Sequence, residues 1–234
     1  MIVSIIQPSF LPWLGYIEQI ARSDIFVYFD DVQYTRKDWR NRNKLKSPSG
    51  EKIVSVPVVK TKRDSTLING AVISYQDAWQ DAILNKLREW YGKAAYFSDV
   101  YPGLENAIKK EHRLLIELIY ETNNWIFEYL GISPEIKYSS QIPIVGVDRN
   151  SRIIKICKYH QADCLYDGKA AESFIDKEEF KENGINVIFQ NFEHKPYKQL
   201  WGEFIPFLSV VDLLMNCGKD SLDIILSSPK PNLS

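Results

Sequence analysis

The stretch IVSIIQPSFLPWLGYIEQIARSDIFVYFDD, running from Ile2 to Asp31, decides the fold. Ile2–Ile6 is almost uninterrupted in apolar side chains, the pattern of a strand buried on both faces. Pro8, Pro12 and Gly15 then break the chain into a loop. Tyr16–Arg22 reads as a short helix ended by Ser23-Asp24, and Ile25–Phe29 reads as a second buried strand that stops at Asp30-Asp31. Strand, loop, helix and strand in so short a span form a βαβ crossover, which implies parallel strands. The expected fold is α/β, a Rossmann-like, mostly parallel sheet with an inserted or appended helical part.

Beyond this unit, Val32–Pro48 is polar, basic and irregular, and Ile53–Val59 reads as a third strand, with Pro57 marking an edge. Lys60–Ser65 reads as a charged turn and Ala71–Tyr75 as a fourth strand. Ala78–Tyr91 carries a helical stripe of Trp79, Ile83, Leu87 and Trp90 closed by Gly92. Leu114–Leu130 is a long amphipathic helix stopped by Gly131 and Pro134. These place a helical sub-region at about residues 76–131. Further on, Ser151–His160 predicts a helix, Cys164–Tyr166 a strand before Asp167-Gly168, Lys177–Asn183 a helix, Ile185–Gln190 a strand and Val210–Asn216 a helix. Ser209 stands as its N-cap and Asp212 at the capping-box position. The tail from Ser227 to Ser234 reads as frayed. No repeat or linker divides the chain, so residues 1–234 are expected to form one domain.

The chain has 234 residues, 45% hydrophobic and 25% charged, with a formal net charge of -1. That balance gives no global attraction to nucleic acid or anionic membrane. The 3 cysteines, Cys157, Cys164 and Cys217, are odd in number and form no CxxC pair, which argues against a disulfide framework or a structural zinc site. A reducing compartment follows as the simplest reading, and with an apolar N-terminal run too short for a signal peptide or a membrane span, a cytoplasmic location is expected.

Three segments carry candidate chemistry. The first is Gln7–Tyr16, which joins the first strand to the first helix, where open parallel sheets bind ligands. Here Gln7 begins a loop shaped by two prolines, Gly15 lets a ligand approach the backbone, and Trp13 and Tyr16 can stack on a base or sugar. The alternative is a rigid turn whose aromatics cover the core. The segment also resembles the strand-to-helix turn of nucleotidylyltransferases. Trp13-Leu14-Gly15-Tyr16 stands where those enzymes carry His-x-Gly-His, and the loss of both histidines argues against ordinary nucleotidyl transfer.

The second segment runs from Asp30 to Lys46. Asp30 or Asp31 can hold a metal or, with a raised pKa, act as a base, Arg40 and Arg42 can grip phosphate bidentately, Lys37 can add a point charge and Trp39 can stack. A solvated basic loop balanced by two acids is the alternative. The third segment is His194–Gln199 with the run to Gly218, in which His194 follows a strand directly and is a candidate for proton transfer. There is no Walker loop, no Gly-x-Ser-x-Gly, no Gly-x-Gly-x-x-Gly and no metal-ligand spacing. Common hydrolases, P-loop enzymes and dinucleotide dehydrogenases lose support, and the sequence leaves any cofactor unspecified.

Taken together, Gln7-Pro8, Pro12-Trp13, Gly15-Tyr16, Asp24, Asp30-Asp31-Val32-Gln33, Lys37, Trp39, Asn41-Arg42, Tyr197, Gln199, Phe204, Pro206, Leu208-Ser209, Asp212-Leu213-Leu214, Asn216 and Gly218 resemble the WbqC-like family. The resemblance covers essentially the whole chain. It implies a soluble enzyme associated with surface-polysaccharide (O-antigen) gene clusters, with transfer of a small acyl or aminoacyl, glycine-like group to an amino sugar as the implied reaction. On that reading Gln7, Trp13, Gly15, Tyr16, Gln33, Lys37, Trp39, Arg40, Arg42, Tyr197 and Gln199 bind a nucleotide sugar, and Asp30, Asp31 and His194 move protons. A non-catalytic ligand-binding or scaffold protein of the same pathway is the alternative. Binding of single-stranded nucleic acid through Trp39 and its basic neighbours is disfavoured by the net charge. The Gln7–Tyr16 loop, the Asp30–Arg42 segment and His194–Gln199 are expected to line one pocket, with Arg42 on phosphate.

Overall fold

A computed structural model of the chain describes residues 1–60, 66–144 and 148–231. The charged turn expected at 60–65 and the end of the frayed tail, at 232–234, lie outside the described residues except for Lys60. Five strands, β1 (Ile2–Ile6), β2 (Ile25–Tyr28), β5 (Glu135–Tyr138), β6 (Cys164–Asp167) and β7 (Asn186–Phe189), form one all-parallel sheet in the order β5-β2-β1-β6-β7. Successive connections therefore step from β1 out to β5 on one side and from β6 to β7 on the other. The strand order reverses between β1 and β6, the place where doubly wound sheets open a crevice at their carboxyl ends.

Strand alternation explains the layers. In β2 and the residue after it, Ile25, Val27 and Phe29 join one core, with Val3, Ile5, Leu165 and the helices α5 (Arg149–Tyr159) and α6 (Lys177–Glu182). Phe26 and Tyr28 point the other way and join the larger core, which holds α1 (Leu14–Ala21), α2 (Trp79–Tyr91), α3 (Phe97–Lys109), α4 (Leu115–Leu130) and α7 (Val210–Cys217). α8 (Ser221–Leu226) packs on α1. The helical part, α2 to α4, lies between a β-hairpin and β5, as an insertion into the sheet's chain order.

The structure departs from the sequence reading in several places. Within the segment read as irregular, β3 (Arg42–Ser47) pairs antiparallel with β4 (Gly50–Ser55) in a separate two-stranded sheet. The strand expected at Ile53–Val59 therefore starts earlier and ends before Pro57, outside the main sheet. Ala71–Tyr75 forms only isolated bridges, Val72 to Leu114 and Val58 to Ile73. Helix α3 was masked by Pro102-Gly103, a breaker pair. The glycine serves packing, because a Cβ on it would stand 1.9 Å from the Trp125 indole nitrogen. Ser209 does cap α7, accepting from the Val211 N–H at 3.2 Å. Asp212 is not its capping-box partner, since its carboxylate is taken by two tyrosines from other elements.

Candidate functional site

The carboxyl edge of the sheet carries the loops that follow β1, β2, β5, β6 and β7, and most of the candidate residues stand there. At the end of β2, Asp30 is buried and its carboxylate accepts from Ser139 Oγ at 3.0 Å, Ser140 N at 2.9 Å, Ser140 Oγ at 2.7 Å and Tyr120 OH at 3.3 Å. Asp31 accepts from Ser139 Oγ and pairs with Arg152. With their lone pairs so occupied, the two carboxylates tie β2 to the end of β5 and to α5.

Beyond them the chain builds a cleft of about 160 Å³ lined by Tyr34, Arg36, Lys37, Asn41, Val58, Val59, Lys60 and Thr66. Three of these are cationic. The Asn41 amide donates to the Val56 carbonyl at 2.7 Å, while its Oδ1 is buried with no partner. Lys37 holds a left-handed backbone (φ 58°), and Arg42 donates to its carbonyl oxygen. Arg42 itself lies outside the cleft. Its guanidinium sits 5.9 Å from the Trp39 ring centroid. Arg40 pairs with Asp38 at 3.2 Å, and burial works against its charge. Gln33 bridges to Leu67 and is exposed.

The β1–α1 loop reaches this segment on one side and the third segment on the other. Trp39 O accepts from Ser9 Oγ at 3.0 Å and Phe10 N at 3.3 Å. Trp13 packs on Phe192, His194 and Phe207, with ring centroids 5.4, 5.8 and 5.9 Å away. Its indole also fills the space over Gly15, where a Cβ would stand 2.2 Å from a ring carbon. Gly15 therefore admits a side chain of this chain rather than a ligand. Tyr16 is buried in the larger core, its OH without a partner and its ionisation opposed by burial. Gln7 is half-buried at the end of β1. His194 Nε2 is buried with no partner, and desolvation keeps the imidazole below its ordinary pKa, so the ring is neutral at pH 7.

Tyr197 and Gln199 stand elsewhere. Tyr197 OH donates to Asp212 at 2.7 Å, Tyr91 OH donates to the other oxygen at 2.9 Å, and Gln199 holds Tyr197, the Ile205 carbonyl and the buried Lys46 amine. Burial lowers the pKa of Lys46 and raises that of Asp212. This interior network anchors the 197–212 crossing to β3 and α2. The expected single pocket thus resolves into a cationic cleft, an aromatic group and this network, the first two joined through Trp39, Ser9 and Phe10.

Sequence reasoning passed over Asp167. It ends β6 beside β1, at the reversal of strand order. Its carboxylate accepts from the Gly168 N–H at 2.7 Å, and burial pushes its pKa up to about 6. Gln190 spans the same place, its N–H on the Asp167 carbonyl at 2.8 Å and its amide on the Gly15 carbonyl at 2.6 Å. The signal available was the dipeptide Asp167-Gly168 after a short strand, which reads equally well as a turn. Cys157, Cys164 and Cys217 are free. Among the described residues no helix is long and apolar enough to cross a membrane, and no cluster of three or more His, Cys, Asp or Glu is placed to hold a metal.

Comparison with known proteins places this architecture in a sequence family. No solved structure matches the chain. The chain is similar to Uncharacterized protein Rv1507c of Mycobacterium tuberculosis (strain ATCC 25618 / H37Rv), 34% identical over 225 residues, which cover 95% of this chain and 96% of that protein. The sequence pattern of the WbqC-like protein family matches residues 7–224, from the β1–α1 loop into α8. The family match begins directly after β1 and takes in the carboxyl-edge loops and the inserted helices, and the relative covers nearly the whole chain; the chain belongs to the WbqC-like protein family.

Proposed function

We propose that the chain is a transferase that adds a small acyl or aminoacyl group to a nucleotide-linked amino sugar in surface-polysaccharide biosynthesis, with the phosphates of the sugar nucleotide in the cleft after β2. The cleft carries the reading. Lys37, Lys60 and Arg36 line a concave space at the carboxyl edge of a doubly wound parallel sheet. Its volume of about 160 Å³ is small beside a whole drug-sized ligand site. It suits a pyrophosphate, with the sugar extending along the loop strip toward Trp13 and His194. Cations around a small polar cavity hold phosphate by charge-assisted hydrogen bonds.

Transfer to an amine needs a base near the acceptor nitrogen. His194 is the candidate of the third segment, because desolvation lowers the pKa of its imidazole and so favours the unprotonated ring. It would take the proton from the acceptor ammonium. The freed nitrogen lone pair then attacks the acyl carbon of an activated ester or thioester, and the alcohol or thiol departs with its bonding electrons and takes up a proton. Asp30 and Asp31 act in this scheme as struts that fix the start of the cleft segment.

Calorimetric titration with a panel of nucleoside diphosphates and nucleotide sugars tests the reading. Saturable binding that falls at least about tenfold in Lys37→Glu and Lys60→Glu, the scale of one charged contact, is the expected result. Mass spectrometry of a bound amino-sugar nucleotide incubated with aminoacyl or acyl esters and thioesters then separates a transferase from a binding protein. Absence of binding across the panel sinks the proposal.

A further inference from the structure

The two edge strands of the main sheet are not alike. β5 carries Glu135 and Lys137, the kind of charged side chain that keeps a natural edge from pairing. β7, at the opposite edge, reads Asn186-Val187-Ile188-Phe189, with no charge and no proline. The Asn186 and Gln190 N–H groups donate toward β6, to the Asp163 and Asp167 carbonyls, at 2.8 Å each. Backbone groups alternate in direction along a strand, so those of Val187 and Phe189 face the open edge. There, among the described residues, their N–H groups have no acceptor. The edge is also recessed. Two hollows of about 490 and 450 Å³ run along it and share Lys177, Asn186 and Val187. α6 walls this slot on the layer toward which Val187 turns, and Pro229-Lys230-Pro231 walls it on the layer of Ile188.

We propose that the β7 edge is a docking slot for an extended, acidic segment of another protein, which adds a further strand to the main sheet. Backbone pairing fixes the form of the partner, because only an extended chain matches N–H and C=O groups spaced along an edge. Charge fixes its composition. Glu172 is taken by Lys169 at 2.6 Å and Asp163 by the N-terminal amine. Among the described residues Lys177, Lys181 and Lys230 are left without a carboxylate, against Glu178 alone, so the slot has a surplus of positive charge. Spacing fixes the pattern. Lys177 and Lys181 stand one turn apart on α6, about 6 Å along its axis. Every second residue of a strand faces the same layer, at a repeat of about 6.6 Å. Acids at alternate positions of the bound segment therefore meet both lysines, and the intervening side chains, against Ile188 and the prolines, are apolar. A second copy of this chain fits less well. β7 brings no acid to the lysines, and pairing it with its own copy sets the lysines of one α6 against those of the other.

The probes are end-blocked hexapeptides of alternating glutamate and valine, and of alternating lysine and valine. Two further forms of the first are N-methylated at every glutamate or at every valine, which blocks one backbone edge or the other. Fluorescence anisotropy should show the glutamate peptide binding saturably, with an affinity that falls as salt rises, and the lysine peptide not binding. One N-methylated form should bind and the other should not, since only one edge pairs with β7. Lys177 and Lys181 are exposed, so Lys177→Glu and Lys181→Glu leave the fold intact. Each should weaken binding by about fivefold, the upper scale of an exposed ion pair. Hydrogen exchange should find the Val187 and Phe189 amides open in the free protein and slowed by the peptide. Absence of binding by the glutamate peptide, equal binding of the lysine peptide, binding of both N-methylated forms, or unchanged exchange at Val187 and Phe189 would each overturn the proposal. Sedimentation of the free protein as a dimer with those two amides already slow would overturn it in favour of a second copy at this edge. β7 lies across the sheet from β2, so these readouts are independent of what the cleft after β2 holds.

Discussion

Replacing Asp167 with asparagine should stabilise the protein above pH 6 and leave it unchanged near pH 4. The carboxyl ends β6 at the strand-order reversal, and its pKa is pushed up to about 6 by burial, against the Gly168 N–H and the Gln19 amide that favour its ionised form. The sign follows from which state holds the proton. Below about pH 4 folded and unfolded chains are both protonated and the residue costs nothing. As pH rises from about 4 to about 6 the unfolded chain releases its proton first, so stability falls, and above about 6 the loss is complete. A displacement of that size corresponds to about 3 kcal/mol when fully expressed. Asp167 is only partly buried, so about 2 kcal/mol is the expected effect. Asparagine keeps an oxygen for the Gly168 N–H and removes only the ionisation. Urea melts of both proteins from pH 4 to 8 measure it, and their difference cancels every other titrating group. A difference curve flat across that range would refute the argument. A positive result would identify a carboxyl that costs stability at neutral pH in the crevice where parallel sheets place their ligands, a trade expected of a functional group.

Gly15→Ala should cost about 1–3 kcal/mol by overpacking, because the new Cβ meets three Trp13 ring carbons at 2.2, 2.3 and 2.7 Å; a lowered melting temperature with altered tryptophan fluorescence checks it. Asp212→Ala strips the acceptor from Tyr91 and Tyr197 and leaves the buried Lys46 without its nearby charge, so denaturant melts should show a loss of about 3–5 kcal/mol. Arg42→Lys should leave the fold intact and weaken nucleoside diphosphate binding by about 1 kcal/mol, since it loosens the left-handed Lys37 turn without removing a cleft residue. Unchanged affinity in calorimetry would show that Lys37 holds its conformation unaided.

The parallel core was legible because its strands bury both faces and therefore read as apolar runs. Ile25–Phe29 divides its side chains between two cores on either face, and no polar residue interrupts it. The strands that escaped reading lack that property for physical reasons. β5 is an edge strand joined only to β2, so Glu135 and Lys137 point outward and pair with each other at 2.7 Å. Four residues of alternating charge look like a linker. β3 carries Lys44 and Lys46, and only the tertiary structure shows that Lys46 is buried, its amine on Gln199 and the Glu203 carbonyl.

The site divides in the same way, between what chain order fixes and what distant segments supply. A loop after a buried parallel strand must emerge at the carboxyl edge, so the placement of Gln7–Tyr16 and of the segment after Asp30 could be argued from pattern alone. The partners could not. Asp30 and Asp31 looked like free acids because Ser139, Ser140 and Arg152 lie more than a hundred residues away in sequence. Trp13 looked like a stacking platform by itself, and the residues that complete the aromatic group come from a crossing near the other end of the chain. Strain is the other missing signal. Leu11, Lys37, Trp201 and Phe207 take left-handed backbones without being glycine, and all four lie on loops of the three candidate segments; Gln161, in the turn after α5, is the exception. None of these residues announces such a conformation, since each is common in ordinary strands and helices. Packing imposes it, and it collects where the loops must present a side chain at a fixed angle: Lys37 into the cleft and Phe207 beside His194.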